Sequence, residues 1–158
     1  MKMTKERVFR TKTGVSITGA TLLSIEEVWN LPNRIMAYKN WWWLRSPGYF
    51  QYCVAGVYGN GAIDAVGNDV DLAEASIRPA LKIEDLASSN FGIGGVFSFG
   101  GKKFEIISDD LALCLSDIGE HSFRKAFWKK NCRDYEASDA KKFVDDWYIA
   151  AKESEASK

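Results

Sequence analysis

Trp41-Trp42-Trp43-Leu44-Arg45-Ser46-Pro47-Gly48 decides how the rest of the chain must fold. Successive side chains of an extended strand point to opposite faces, so three consecutive indoles cannot all enter one apolar layer. A strand built on this stretch serves two layers, or lends one indole to a surface pocket. Further on, Ile77-Arg78-Pro79-Ala80-Leu81 reads as a second extended anchor. Gly, Asn, Asp and Tyr crowd the interval between the two, a composition suited to turns and outward side chains held between fixed strands.

Upstream, residues 7–18 read as extended around a turn at Thr13-Gly14. Ser24 and Glu27 have the spacing of a capping box, in which the serine accepts from an early helix N–H and the glutamate returns to the cap. The helix they open is short, because Pro32 disfavours helical backbone before it. Residues 33–40 are a connector without a marked periodicity. Extended segments are predicted at 42–45, 52–58, 62–66 and 77–83, with a hairpin at Tyr58-Gly59-Asn60-Gly61-Ala62 because Asn-Gly tolerates positive φ. Residues 84–95, with Ser88-Ser89-Asn90 and Gly92, Gly94 and Gly95, have the composition of a flexible joint. A meander follows at 96–99, 104–108 and 111–116, where Phe97/Phe99 and Phe104/Ile106 alternate with period two. Helices are predicted at 122–130 and at 138–152. The second is capped by Ser138 and carries an apolar stripe of Phe143, Val144, Trp147, Tyr148 and Ala151. Residues 153–158 are expected to fray.

Composition narrows the function classes. The 158 residues are 46% hydrophobic and 13% aromatic, enough for a real core. Twenty-one basic residues balance 21 acidic ones, so no global field steers nucleic acid or an anionic membrane, and neither is an expected partner. The apolar runs fall short of the roughly 20 residues that span a bilayer, and no secretory leader pattern is visible, which predicts a cytoplasmic protein. Cys53, Cys114 and Cys132 are odd in number and lack CxxC spacing, as expected of reduced thiols rather than a disulfide framework or a zinc site. His121 is the single imidazole, so a triad or a His-rich metal centre has nothing to build on. Asn68-Asp69-Val70-Asp71 offers oxygens but not the length of an EF-hand loop. Gly92-Ile93-Gly94-Gly95 lacks the Lys-Ser/Thr of a phosphate cradle. No enzyme, cofactor or metal is predicted.

What remains is a contact surface. Tyr49, Phe50, Gln51 and Tyr52 follow the Pro47-Gly48 bend and combine aromatic area with polar tips, at little entropy cost per ring. Tyr58 and Asn60 in the hairpin, with Asp64, Asn68, Asp69 and Asp71 on neighbouring turns, add hydrogen-bonding groups. Trp42 and Trp43 are read as structural. So are Arg45 and Arg78, whose guanidinium groups can pin loop carbonyls or a carboxylate.

These segments carry a resemblance. The tryptophan stretch 42–48, the Gly/Asn/Asp-rich interval and Ile77-Arg78-Pro79-Ala80-Leu81 together resemble a bacterial and phage domain of unknown function, DUF6273. Thr21–Val28, with its core Leu22-Leu23-Ser24-Ile25-Glu26-Glu27, is similar to the helix start upstream of that family's tryptophan motif. Three later segments look like other parts of the same family: Phe99-Gly100-Gly101-Lys102-Lys103-Phe104-Glu105-Ile106-Ile107, Ala112-Leu113-Cys114-Leu115-Ser116, and Tyr135-Glu136-Ala137-Ser138-Asp139 onward to Trp147. In the family the glycine-turn meander and the Ser-Asp helix come first. Here they come last, as in a circular permutation; half-domains of neighbouring repeats, or a domain swap, give the same order.

The family's pattern is in turn similar to C-type-lectin-like and diversity-generating variable proteins, where two anchored strands bracket irregular loops. The resemblance implies an α+β, C-type-lectin-like mixed fold with short antiparallel strands, two to three helices and long irregular loops. The expected layout is one domain over 1–158: a half with display loops at 1–84, a seam at 85–95, a meander with two helices at 96–152, and a tail. The resemblance implies ligand binding rather than chemistry. The predicted function is non-catalytic binding of a macromolecule, with a protein the expected partner. The alternatives are a phage-associated inhibitor of a host defence complex and a carbohydrate-binding lectin-like module.

Overall fold

The computed structural model describes residues 8–11, 14–125 and 132–157. Among them the elements run in chain order as β1 (Phe9–Arg10), β2 (Ser16–Thr21), α1 (Ile25–Val28), α2 (Asn33–Met36), β3 (Trp42–Pro47), β4 (Cys53–Val57) and β5 (Ile63–Asp69). There follow β6 (Ala80–Glu84), β7 (Val96–Phe99), β8 (Lys102–Ile106), β9 (Leu111–Cys114) and α3 (Asp139–Ala156). The protein is α+β, with a six-stranded sheet ordered β1-β2-β6-β9-β8-β7 and a three-stranded sheet ordered β3-β4-β5. All strand pairs in both are antiparallel.

The chain divides into two compact units, neither continuous in sequence. One takes Met1–Thr21, Pro79–Ser116 and Asp145–Lys158; the other takes Leu22–Arg78 and Asp117–Val144.

The first unit holds the six-stranded sheet. Its period-two pattern lands as expected: Phe97, Phe99, Phe104 and Ile106 are all buried, together with Val15, Ile17, Leu81 and Ile83. Tyr148 and Ala151 of α3 complete that core, and Phe99 meets the rings of Trp147 and Tyr148 at 6.0 Å each. Residues 84–95 are not a loose joint between halves. They lie inside this unit, where Leu86 and Phe91 pack against the core and Leu86–Ser88 forms a 3-10 turn. Ser89 ties that turn by donating to Leu86 O and accepting from Phe91 N–H. The expected tail is also corrected. Helix α3 continues to Ala156, and the Glu155 carboxylate accepts from Gly100 N–H at 3.0 Å, which gives the last turn a tertiary partner.

The second unit holds the three-stranded sheet. Trp42 pairs in parallel with Ser76, and Trp43 N–H donates to Ser76 O, so the tryptophan strand and the approach to Arg78 lie side by side. Residues 75–77 are paired on their other side with 118–121. Trp42 and Trp43 are both fully buried and serve different partners, as alternation demands. Trp42 Nε1 donates to Met36 O, whereas Trp43 Nε1 donates to His121 O with its ring on Phe123. The connector at 33–40 contains the short helix α2. The helix expected at 122–130 is absent over 122–125, and 126–131 lie outside the described residues. Tertiary partners take the backbone there: Arg124 N–H donates to Val70 O, and Phe123 O accepts from Ala140 N–H. Ser138 caps α3 as predicted, its hydroxyl accepting from Lys141 N–H.

Candidate functional site

The aromatic loop between β3 and β4 is pinned through its backbone. Gly48 N–H donates to Cys53 O, Tyr49 N–H to Val66 O, and Cys53 N–H to Phe50 O, while Tyr52 O accepts from Val70 N–H. Gly48 is needed at this crossing, because a Cβ there would sit 2.3 Å from Val66 O. With the main chain committed inward, the side chains turn out. Tyr49 is 76% exposed, Phe50 46%, Tyr52 36% and the adjoining Val66 54%. The rings nevertheless touch one another. Tyr49 meets Phe50 edge-on at 4.9 Å, and Phe50 stacks on Tyr52 at 5.6 Å with 11° between planes.

Register brings the acidic turn to the same end. Cys53 pairs with Asp69 and Val54 with Asn68, so residues 68–71 flank the aromatic loop. Gln51 and Asp71 are exposed there, and Asn68 and Asp69 are half-buried. Tyr58 and Asn60 are elsewhere. They sit beyond the far end of β4, roughly 15 Å away at the rise of a β-strand. The surface expected to combine all of these is therefore two surfaces. Asn60 makes its own turn, accepting from Ala62 N–H. Of the Asn-Gly pair, only Gly61 takes the positive φ, at 93°.

Asp64 belongs to neither surface. It is 7% exposed, and its carboxylate accepts from Trp41 Nε1 at 3.2 Å and Gly67 N–H at 2.9 Å. That pair of bonds spans the irregularity in the β4–β5 register between Val54 and Gly56, and Val66, within it, is exposed. The Asp64 charge beside Tyr58, followed by desolvation and a hydrogen bond to Asp64, raises the Tyr58 hydroxyl above its ordinary pKa.

The two arginines act on the scaffold. Arg45 donates to Leu22 O and to both carboxylate oxygens of Glu27. Glu27 completes the capping box with Ser24 in both directions. Arg78 is 2% exposed, donates to Ile35 O at 3.0 Å, and lies between the rings of Tyr38 and Trp42, 4.8 and 4.6 Å from their centroids. His121 contacts Ser122 O through Nδ1 and rests on Phe143. Cys53, Cys114 and Cys132 are buried thiols. Among the described residues no three His, Cys, Asp or Glu side chains gather as metal ligands would, and no helix is long and apolar enough to cross a membrane.

Within the second unit, two large exposed apolar residues, Val66 and Trp29, escaped the sequence reading. Val66 sits within a predicted strand, at the register irregularity. Trp29 had a readable signal: it follows the buried Val28 just before Asn30-Leu31-Pro32, at the C-cap and off the inner face of α1.

A family model described as "Domain of unknown function (DUF6273)" matches residues 8–85. That span contains the tryptophan strand, the aromatic loop, β5 and the Arg-Pro segment. It ends before the glycine-turn and Ser-Asp segments at 99–147. No curated protein and no solved structure matches the chain.

Proposed function

Residues 8–85 match the DUF6273 family model, and on that premise we propose that the chain is a non-catalytic binding protein whose Tyr49–Tyr52 end docks a protein partner. One observation carries this reading: three aromatic rings contact each other while each keeps a third or more of its surface in water. Rings that only filled a core would be covered. Rings that only solvated a loop would gain nothing from mutual contact. Held in place by their neighbours and by a pinned backbone, they avoid much of the roughly 0.5–1.5 kcal/mol of ordering cost per side chain that association otherwise incurs.

Chemistry favours a protein over a sugar or a nucleic acid. The patch has an apolar centre of Tyr49, Phe50, Tyr52 and Val66 with Gln51, Asn68, Asp69 and Asp71 around it, the centre-and-rim layout of protein interfaces. The buried thiols suit a reducing, cytoplasmic setting.

Site-specific photocrosslinking tests the reading. A photoreactive residue at Gln51 should yield a defined protein adduct in cells of the native host, and the same residue at Asn60 should not. Tyr49→Ala with Phe50→Ala should remove the adduct while the near-ultraviolet circular dichroism stays native. No adduct at 51, or one indifferent to the two substitutions, rules the reading out.

A further inference from the structure

Elsewhere in the second unit, α1, α2 and β5 enclose a cleft of about 460 Å³ lined by Val28, Trp29, Leu31, Asn33, Met36, Gly61, Ile63 and Ala65. Ile63 and Ala65 flank Asp64 in β5 and both line the cleft, whereas the Asp64 carboxylate is turned to Trp41. We propose that this cleft is a second binding site, taking a small uncharged ligand whose planar apolar ring lies against Trp29.

Four observations converge on that class. The volume falls within the range of small-molecule sites, about 300–1,000 Å³. Among the described residues no ionisable side chain lines the cleft, so a charged ligand would shed water without gaining a counter-charge there. Trp29 is 67% exposed, leaving its indole open at the rim, whereas Trp42 and Trp43 are fully buried and Trp147 packs on a core. Met36, buried beneath, supplies a polarisable and adaptable thioether for a ring to meet. Among the described residues Asn33 brings the one amide side chain to the lining, enough to orient a single polar substituent.

The walls are preformed. Leu31 N–H donates to Val28 O, Ala37 N–H to Asn33 O, and Tyr38 N–H to Gly59 O. Gly61 approaches Asn33 so closely that a Cβ would lie 2.0 Å from its Oδ1. A small molecule fits the surroundings better than a flat macromolecular face, since the neighbouring Glu26, Asn30 and Arg34 are exposed and polar.

The test uses the full chain with carbon-13 methyl methionine, titrated with indole. The Met36 methyl signal should shift saturably. Trp29→Ala, at an exposed position, should weaken indole by about fivefold or more, as loss of a stacking face does. Ala65→Phe should fill the cleft and abolish binding. Indole-3-acetate should bind at least about tenfold more weakly than indole, for want of a counter-charge. Tyr49→Ala with Phe50→Ala should leave indole binding unchanged, which separates this site from the aromatic loop. A shift that does not saturate, wild-type affinity in Trp29→Ala, or equal affinity for the charged analogue overturns the proposal.

Discussion

Arg45 reaches three acceptors at once, Leu22 O and the two oxygens of Glu27, and thereby fixes the first turn of α1 to the tryptophan strand. Burial alone would raise the Glu27 carboxyl. The hydrogen bonds from Arg45 and Ser24, with the Arg45 charge, outweigh it and hold the group below its ordinary 4.5. A carboxyl with a depressed folded pKa contributes stability above its unfolded value and loses it as pH falls through the folded one. Glu27→Gln is therefore expected to cost about 1–2 kcal/mol at neutral pH, discounted for a pair that is part exposed. The difference from wild type should shrink as pH falls below 4.5. Urea unfolding across that window checks it, and parallel curves for the two proteins would refute it. Both arginines could be assigned scaffold roles from their place in the two anchor stretches. Their partners could not: Ile35 and Arg78 are 43 residues apart, and nothing in either local pattern points to the other.

At the scale of elements, local signals read well and lengths did not. The capping box, the period-two phenylalanines and the Ser138 cap each depend on neighbours within four residues, and each is present. The candidate site needed a longer view. Grouping Tyr49, Tyr58 and Asp71 treats turns close in sequence as close in space, yet β4 (Cys53–Val57) separates the turns at its two ends. The helix expected at 122–130 failed in its described part for a related reason, since Ala140 of α3 and Val70, just past β5, claim the backbone of 123 and 124. Asp64 is the clearest case of a residue whose role belongs to the hairpin. It joins Trp41, Gly67 and Tyr58 around the bulge. Asp64→Ala should leave two N–H donors without their acceptor and cost about 2–3 kcal/mol, measured by urea unfolding. It should also weaken the Gln51 crosslink, because the bulge sets Val66 beside Tyr49. A cost below about 0.5 kcal/mol, the size of an ordinary surface substitution, would show that Asp64 does not organise the hairpin.

At the scale of the whole molecule, the chain's division was the least legible feature. Glycine and serine mark 84–95, but the units part at 21/22, 78/79, 116/117 and 144/145. The last of these lies within α3, where no loop composition could announce it. Interleaving of this kind follows from which strands pair, and pairing between distant segments leaves no trace in local periodicity. The core of the first unit is where such pairing has its largest expected consequence for the behaviour of the entire chain. Tyr148 packs there against Phe99 with its hydroxyl buried and, among the described residues, without a hydrogen-bond partner. Burial pushes that hydroxyl from its ordinary 10.0 up to about 12. Here the folded pKa lies above the unfolded one, so the folded state holds its proton longer. The contribution is fully present below pH 10 and is lost as pH rises toward 12. Tyr148→Phe keeps the ring, removes the orphan hydroxyl and abolishes the titration. It should match or exceed wild-type stability at neutral pH by up to about 1 kcal/mol. It should also remain folded further into alkali, with the gap between the two proteins opening between pH 10 and 12. Circular dichroism during an alkaline titration decides the matter: coincident unfolding curves would mean that Tyr148 ionises no later in the folded protein than in the unfolded chain, against the burial that the structure assigns it.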